Sequence, residues 1–352
     1  MKSPFPCVHP VPRARGCLRR LLLLASGMLA LAASGIGHAA EPEVIVAADG
    51  TGKYKTIREA IDAAPQLVRD DGRRWRIRVK PGIYRELVYV QREKRFITLV
   101  GEDVEKTVLM YDLYAGLPGP DDKPIGTFGT PTLTVDADDF RMENITIENF
   151  AGNKGQAVAL RVDGDRVVFR GCHFLGWQDT ILANRGRQYF DTCMIRGSVD
   201  FIFGGATAYF ERCEIQCVGN GYITAASTPD YQRHGFVFSF CKIVGLAPEV
   251  RTFLGRPWRD YAKTIFLNTE MSEVVRPAGW DNWKKRNAEK TAVYAEFNST
   301  GPGGATAERA PWSKQLTAAE AANYSLENVL AGADNWNPLR EPIPPPRKKR
   351  RK

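Results

Sequence analysis

Apolar and polar positions alternate in short runs along most of this chain, and from Phe169 onward one run recurs as a phrase. The phrase is an aromatic residue, two residues, a cysteine, one residue and an apolar residue. It reads Phe169-Arg-Gly-Cys172-His-Phe174, Phe190-Asp-Thr-Cys193-Met-Ile195 and Phe210-Glu-Arg-Cys213-Glu-Ile215. It returns as Phe238-Ser-Phe-Cys241-Lys-Ile243 and, with threonine for cysteine, as Phe266-Leu-Asn-Thr269-Glu-Met271. The leading aromatics lie 21, 20, 28 and 28 residues apart. Each phrase is too short for a helix and is rich in aromatic and β-branched residues between turn formers, so it predicts a strand. A recurrence of roughly 20–50 residues marks a solenoid, whose repeats bury their apolar faces by stacking on neighbours. The pattern favours an all-β parallel β-helix over a β-sandwich, because sandwich strands rarely repeat one residue at one phase.

The flanking patterns fit the same plan. Val44–Val46, Arg76–Val79 and Phe96–Val100 read as early strands, and Phe140–Phe150 and Ala157–Val162 resume them. Thr56-Ile-Arg-Glu59 is a capping box that opens a helix stopped by Pro65. Its face of Ile57, Ala60 and Ile61 suits a plug for the solenoid end. Thr317 and Glu320 repeat the box before a helix running toward Leu330. Residues 111–130 and 251–260 are loops, the first rich in Gly, Pro and Asp and a candidate cleft wall. Nothing divides 41–340, which reads as one β-helix domain with short capping helices.

Charge changes the picture only at the ends. The formal net charge is +9, but five of the positive charges lie in residues 1–40 and six in Arg347–Lys352, leaving a body of −2. Residues 1–40 read as an export signal: a basic region, the apolar run Leu21–Ala33, and small residues leading to a cut after Ala39 or Ala40. The apolar run is too short for a comfortable membrane span, so no anchor is expected. The mature chain is expected outside the cell or in a periplasm. Residues 341–352 read as a disordered Pro-rich, basic tail. Nothing in the body suggests nucleic-acid binding. Of seven cysteines, Cys7 and Cys17 would leave with the signal. Cys193 and Cys213 share a phase on consecutive coils, which makes them the disulfide candidates in an exported chain. No Cys/His grouping has metal-ligand spacing, no G-x-S-x-G occurs, and no cofactor is implied.

The repeat also places two carboxylates. Asp179 lies seven residues after Cys172, and Asp200 seven after Cys193. Equal phase predicts that they stack at the strand spacing, about 4.8 Å at the backbone. Like charges that close raise one pKa and cost stability, so a structural role has no use for the pair. Acid/base or nucleophilic chemistry does, since one group can be ionised while its neighbour holds a proton.

Five motifs give the chain a family likeness: Gly82-Ile-Tyr-Arg-Glu86, Gly155-Gln-Ala-Val-Ala-Leu160, Gly176-Trp-Gln-Asp-Thr180, Asp200-Phe-Ile-Phe-Gly204 and Leu254-Gly-Arg-Pro-Trp258. In this order they resemble the pectin methylesterase (pectinesterase) family, bacterial secreted type, from about Val44 to Trp336. The resemblance implies a right-handed parallel β-helix acting as a monomer on methylated polygalacturonate, with release of methanol. It implies Asp200 as nucleophile, Asp179 as general acid and base, Gln178 and Gln156 as oxyanion donors, and Arg256 as the partner of Asp200. Trp258, Phe203, Tyr84 and Trp177 are the candidate faces for sugar rings. The inhibitor-like N-terminal domain of many plant members is not expected here, and Thr127-Phe-Gly-Thr-Pro-Thr-Leu-Thr134 departs from the small-residue run common in relatives.

Three other readings compete at this stage. One is a polygalacturonase-like hydrolase, which would also use paired carboxylates but cut the chain. The second is a carbohydrate-binding solenoid without chemistry, and the third a relative turned to another ester. Intact Gln178, Asp179, Asp200 and Arg256 weigh against the second.

Overall fold

The computed structural model describes residues 43–66 and 74–340. The expected signal with its cut near Ala39 or Ala40, and the basic tail at 341–352, lie outside the described residues. The strands of the body pair in parallel with strands on neighbouring coils. Among the described residues one sheet has eleven strands, from Glu43–Val46 through Val167–Arg170, Arg187–Asp191, Thr207–Glu211, Phe236–Ser239 and Lys263–Leu267 to Lys314–Gln315. A second network has, among the described residues, thirteen strands and two arms. One arm runs Gly82–Arg85, Thr107–Tyr111, Thr146–Asn149, His173–Leu175; the other runs Val88–Val90, Leu133–Val135, Leu160–Val162, Ile181–Ala183. Both arms meet on the long strand Met194–Gly204, which pairs onward with Glu214–Ala226. Three walls around one core make the predicted parallel β-helix.

The recurring phrase is the ladder at its centre. Phe169, Phe190, Phe210, Phe238 and Phe266 are register partners in turn. A residue type repeated at one phase stacks on itself at the strand spacing. The ring centroids are 4.8, 4.6, 4.5 and 4.5 Å apart and nearly parallel. All five rings are fully buried. At the corner after each, Gly171, Thr192, Arg212, Phe240 and Asn268 turn the chain at φ between 49° and 56°. Gly and Asn take that left-handed conformation readily, whereas Thr and Phe are strained in it.

The cysteines form a second ladder beside the first. Cys193, Cys213 and Cys241 each direct Sγ to a carbonyl of the preceding coil, on Phe169, Phe190 and Phe210. Cys193 and Cys213 are free thiols, which corrects the expected disulfide. In-register side chains on parallel strands project the same way. Their Cβ atoms keep the strand spacing and do not converge to the roughly 3.8 Å a disulfide requires.

The ends are sealed differently. At the first, Ile57–Asp62 forms with its capping box intact and buries Ile57, Ala60 and Ile61, as predicted. Glu86 accepts hydrogen bonds from the Ile57 and Arg58 backbone amides at 2.8 and 2.9 Å, holding this helix on the coil edge. At the other end, Glu296 takes the position that follows Phe266 in register. It is fully buried and meets Arg309 at 2.7 and 3.1 Å. Trp280 and Ser299 also donate to Glu296, and Arg309 donates to the carbonyls of Pro277 and Gly303.

The C-terminal residues return across the outside of the first sheet. The predicted single helix is two, Ala318–Ala321 and Leu326–Leu330, because extended Ser325 breaks the run and caps the second through Asn328. Val329, Leu330 and Trp336 pack on Val168, Tyr189 and Tyr209. Arg187 donates to the Leu330 and Ala331 carbonyls and pairs with Asp334, while Arg170 donates to the Pro338 carbonyl. Among the described residues no helix is long and apolar enough to cross a membrane.

Candidate active site

The two aspartates lie where the phase argument placed them. Gln178 bridges Val199, and Ile181 pairs with Ile202, so Asp179 and Asp200 stand in register on adjacent coils. Asp200 belongs to the strand on which both arms of the second network meet. The pairing there is irregular, with register shifts on either side of Val199. Both aspartates have positive φ, 63° and 52°. Left-handed backbone is uncommon outside glycine, and stacked examples at a break in the ladder concentrate strain where two side chains are re-aimed outward.

Arg256 closes on one of them. Its Nε donates to Asp200 Oδ1 at 2.8 Å and its Nη2 to Oδ2 at 2.7 Å, a two-pronged charge-assisted pair. The guanidinium is sandwiched between Tyr222 and Trp283, whose ring centroids lie 3.8 and 3.7 Å away. The preceding Gly255 is required by packing: a Cβ there would sit 2.0 Å from the Thr224 hydroxyl oxygen. That close approach seats Arg256 over the neighbouring coil, where its amide donates to the Thr224 carbonyl.

This arrangement separates the two carboxyls electrostatically. Burial, then the nearby Asp200 charge, pushes Asp179 up to about 8. Burial also raises Asp200, but there the Arg256 hydrogen bonds and charge oppose the rise. The proton shared by the pair therefore resides on Asp179 near neutral pH, and Asp200 stays a carboxylate. Gln156 and Gln178 form consecutive bridges in the row that leads to Val199. Gln156 is exposed and Gln178 half-buried, so both amides are available beside the carboxylates.

The aromatic expectations divide. Trp258 is half-buried and packs on Phe203 at 5.8 Å, and Trp283 joins the same apolar cluster. Phe203 itself is 4% exposed, so it supports Trp258 from beneath and offers no face of its own, which corrects that expectation. Trp177 is half-buried against Gly219 on the flank of the pair. Tyr84 does not belong to the site. It lies in the core with its hydroxyl donating to the Lys80 carbonyl, because its strand turns that position inward. Sequence reasoning missed Tyr222 and Trp283. Trp283, an aromatic in a polar loop like Trp258, carried a usable signal; Tyr222 carried none.

Comparison with known proteins identifies the family. The family model described as Pectinesterase matches residues 43–333. Pectinesterase 31 of Arabidopsis thaliana is 42% identical over 287 residues, covering 80% of this chain and 90% of that protein. The solved structure of pectin methylesterase from carrot superposes with a TM-score of 0.78 at 34% identity, covering 84% of this chain and 95% of that one. A pectin methylesterase in complex with a hexasaccharide gives 0.74 at 30% identity, covering 86% of this chain and all of the other. The sequence relatives are plant proteins, which corrects the expected bacterial type. By its sequence match, its fold and its motifs in order, the chain belongs to the pectinesterase family.

Proposed function

We propose that this protein removes methyl esters from pectin, releasing methanol from methylated galacturonate units. The observation that carries the reading is the in-register carboxylate pair with Arg256 forked onto one member only. Asp200, ionised and oriented, attacks the ester carbonyl. Gln178 and Gln156 donate to the oxyanion, each contributing roughly 3–4 kcal/mol by comparison with similar donors. Protonated Asp179 gives its proton to the departing methoxide, then takes one from the water that opens the acyl-enzyme. Trp258 supports a sugar ring at the mouth of the site. The same reading has the chain exported after cleavage near Ala39 or Ala40, acting as a monomer without a membrane anchor.

The test is methanol release from highly methylated pectin by the purified mature protein, with polymer length followed in parallel. Methanol without shortening is expected. Shortening without methanol would overturn the reading in favour of a glycosidase.

A further inference from the structure

The aromatic sandwich around Arg256 does not end at Tyr222. Tyr222 pairs in register with Phe253 one coil further on, and their rings stack at 5.4 Å with only 12° between planes. Beyond Phe253, the Arg276 guanidinium lies 5.2 Å from that ring's centroid. The column is thus Trp283, Arg256, Tyr222, Phe253, Arg276, with a cation inside it and a cation at its far end. The inner cation is neutralised by Asp200. Arg276 has no acidic partner among the described residues and is half-buried, its backbone fixed by amide donation to the Thr252 carbonyl.

A guanidinium held on an aromatic ring, partly shielded from water and lacking a carboxylate, is a ready receptor for one. The polymer on which this protein acts carries a methyl ester or a carboxylate at each unit, and every turnover converts the first into the second. We infer that Arg276 is a specificity-determining residue that binds the free carboxylate of a unit already demethylated, with that sugar lying along the Phe253–Tyr222 ledge. The inference rests on the function proposed above. It makes the reaction product an element of the next recognition event: a chain with a free acid on the Arg276 side is bound better than a fully esterified one. The coil-by-coil spacing puts this contact beyond the unit being hydrolysed, so Arg276 acts on binding and leaves the chemical step alone.

The experiment compares wild type with Arg276→Gln and Arg276→Lys. Methanol release is measured on fully methylated and on partly demethylated oligogalacturonates. Binding of unmethylated oligogalacturonate is measured by calorimetry, with thermal unfolding as a check on the fold. Arg276→Gln is expected to lose about 10-fold in kcat/KM on the partly demethylated substrate, through KM, and a similar factor in binding the acid, as one charge-assisted contact warrants. Activity on the fully methylated substrate is expected to be unchanged, and Arg276→Lys to fall between. The wild-type preference is expected to shrink as salt rises. Equal losses on both substrates, or no loss in either assay, would overturn the inference. Acid binding that depends on Arg276 in a protein releasing no methanol would remove the esterase reading and leave the subsite standing.

Discussion

Two arginine–carboxylate pairs of almost the same geometry serve opposite ends in this molecule. Arg309 and Glu296 meet at 2.7 and 3.1 Å, Arg256 and Asp200 at 2.8 and 2.7 Å. Around the first, further partners crowd both groups: Trp280 and Ser299 serve the carboxylate, and three backbone carbonyls serve the guanidinium. Around the second, flat aromatic faces replace hydrogen-bond partners, a protonated neighbour replaces a second donor, and the carboxylate's own backbone is in the left-handed region. A pair saturated on all sides can only hold structure. A pair left unsaturated on one side is free to do chemistry there.

The largest effect should come from removing the charge on the open pair. Asp200→Asn is expected to lose at least about 10³-fold in methanol release while keeping its melting temperature, since the proposed nucleophile and its charge disappear together. Activity within 10-fold of wild type would remove Asp200 from its role. On the closed pair the expectation inverts. Glu296→Gln leaves Arg309 buried without its counter-charge and should destabilise by about 3–5 kcal/mol in denaturant melts, with unchanged turnover per folded molecule. A stable Glu296→Gln with poor turnover would erase the distinction between the pairs.

Arg256→Lys comes next. A lysine cannot fork onto Asp200 or fill the Tyr222–Trp283 sandwich, so kcat should drop about 100-fold with little change in stability. Titration then sharpens the contrast. The proposed mechanism needs Asp200 ionised and Asp179 protonated, so the pH profile of kcat/KM should be a bell. Its acid limb is raised by burial from the ordinary aspartate value, and its alkaline limb lies near 8. Stability shares the sign. A carboxyl raised to about 8 favours the fold most in acid and withdraws that support as pH climbs from 3.8 to about 8. The smallest effect concerns strain without function: Phe240→Asn, at a left-handed corner far from chemistry, should stabilise by about 0.5–1 kcal/mol.

The fold was legible because side chains at one phase must stack, and the phenylalanine phrases announced that phase. Asp179 and Asp200 were legible for the same reason, since their coils are 21 and 20 residues long and preserve the count. Tyr222 lies past shifts in register that no count from Cys193 anticipates. Trp283 lies in a connection that belongs to no repeat. Arg256 had no phase either and was found by family likeness alone. The misreadings were matters of direction: equal phase brought Cys193 and Cys213 alongside one another but aimed their sulfurs in parallel, and Tyr84 was turned into the core.

The returning C-terminal segment has a consequence for how the molecule is assembled. Coils that touch only their neighbours can form one after another and come apart from either end. Here Arg187 and Arg170 grip carbonyls 143 and 168 residues later in the chain, so the middle coils are finished only when the last residues arrive. A structure that grows like a stack is thereby fastened like a closed loop. Its unfolding should register as one cooperative transition, and deletion from residue 318 onward should split that transition into stages.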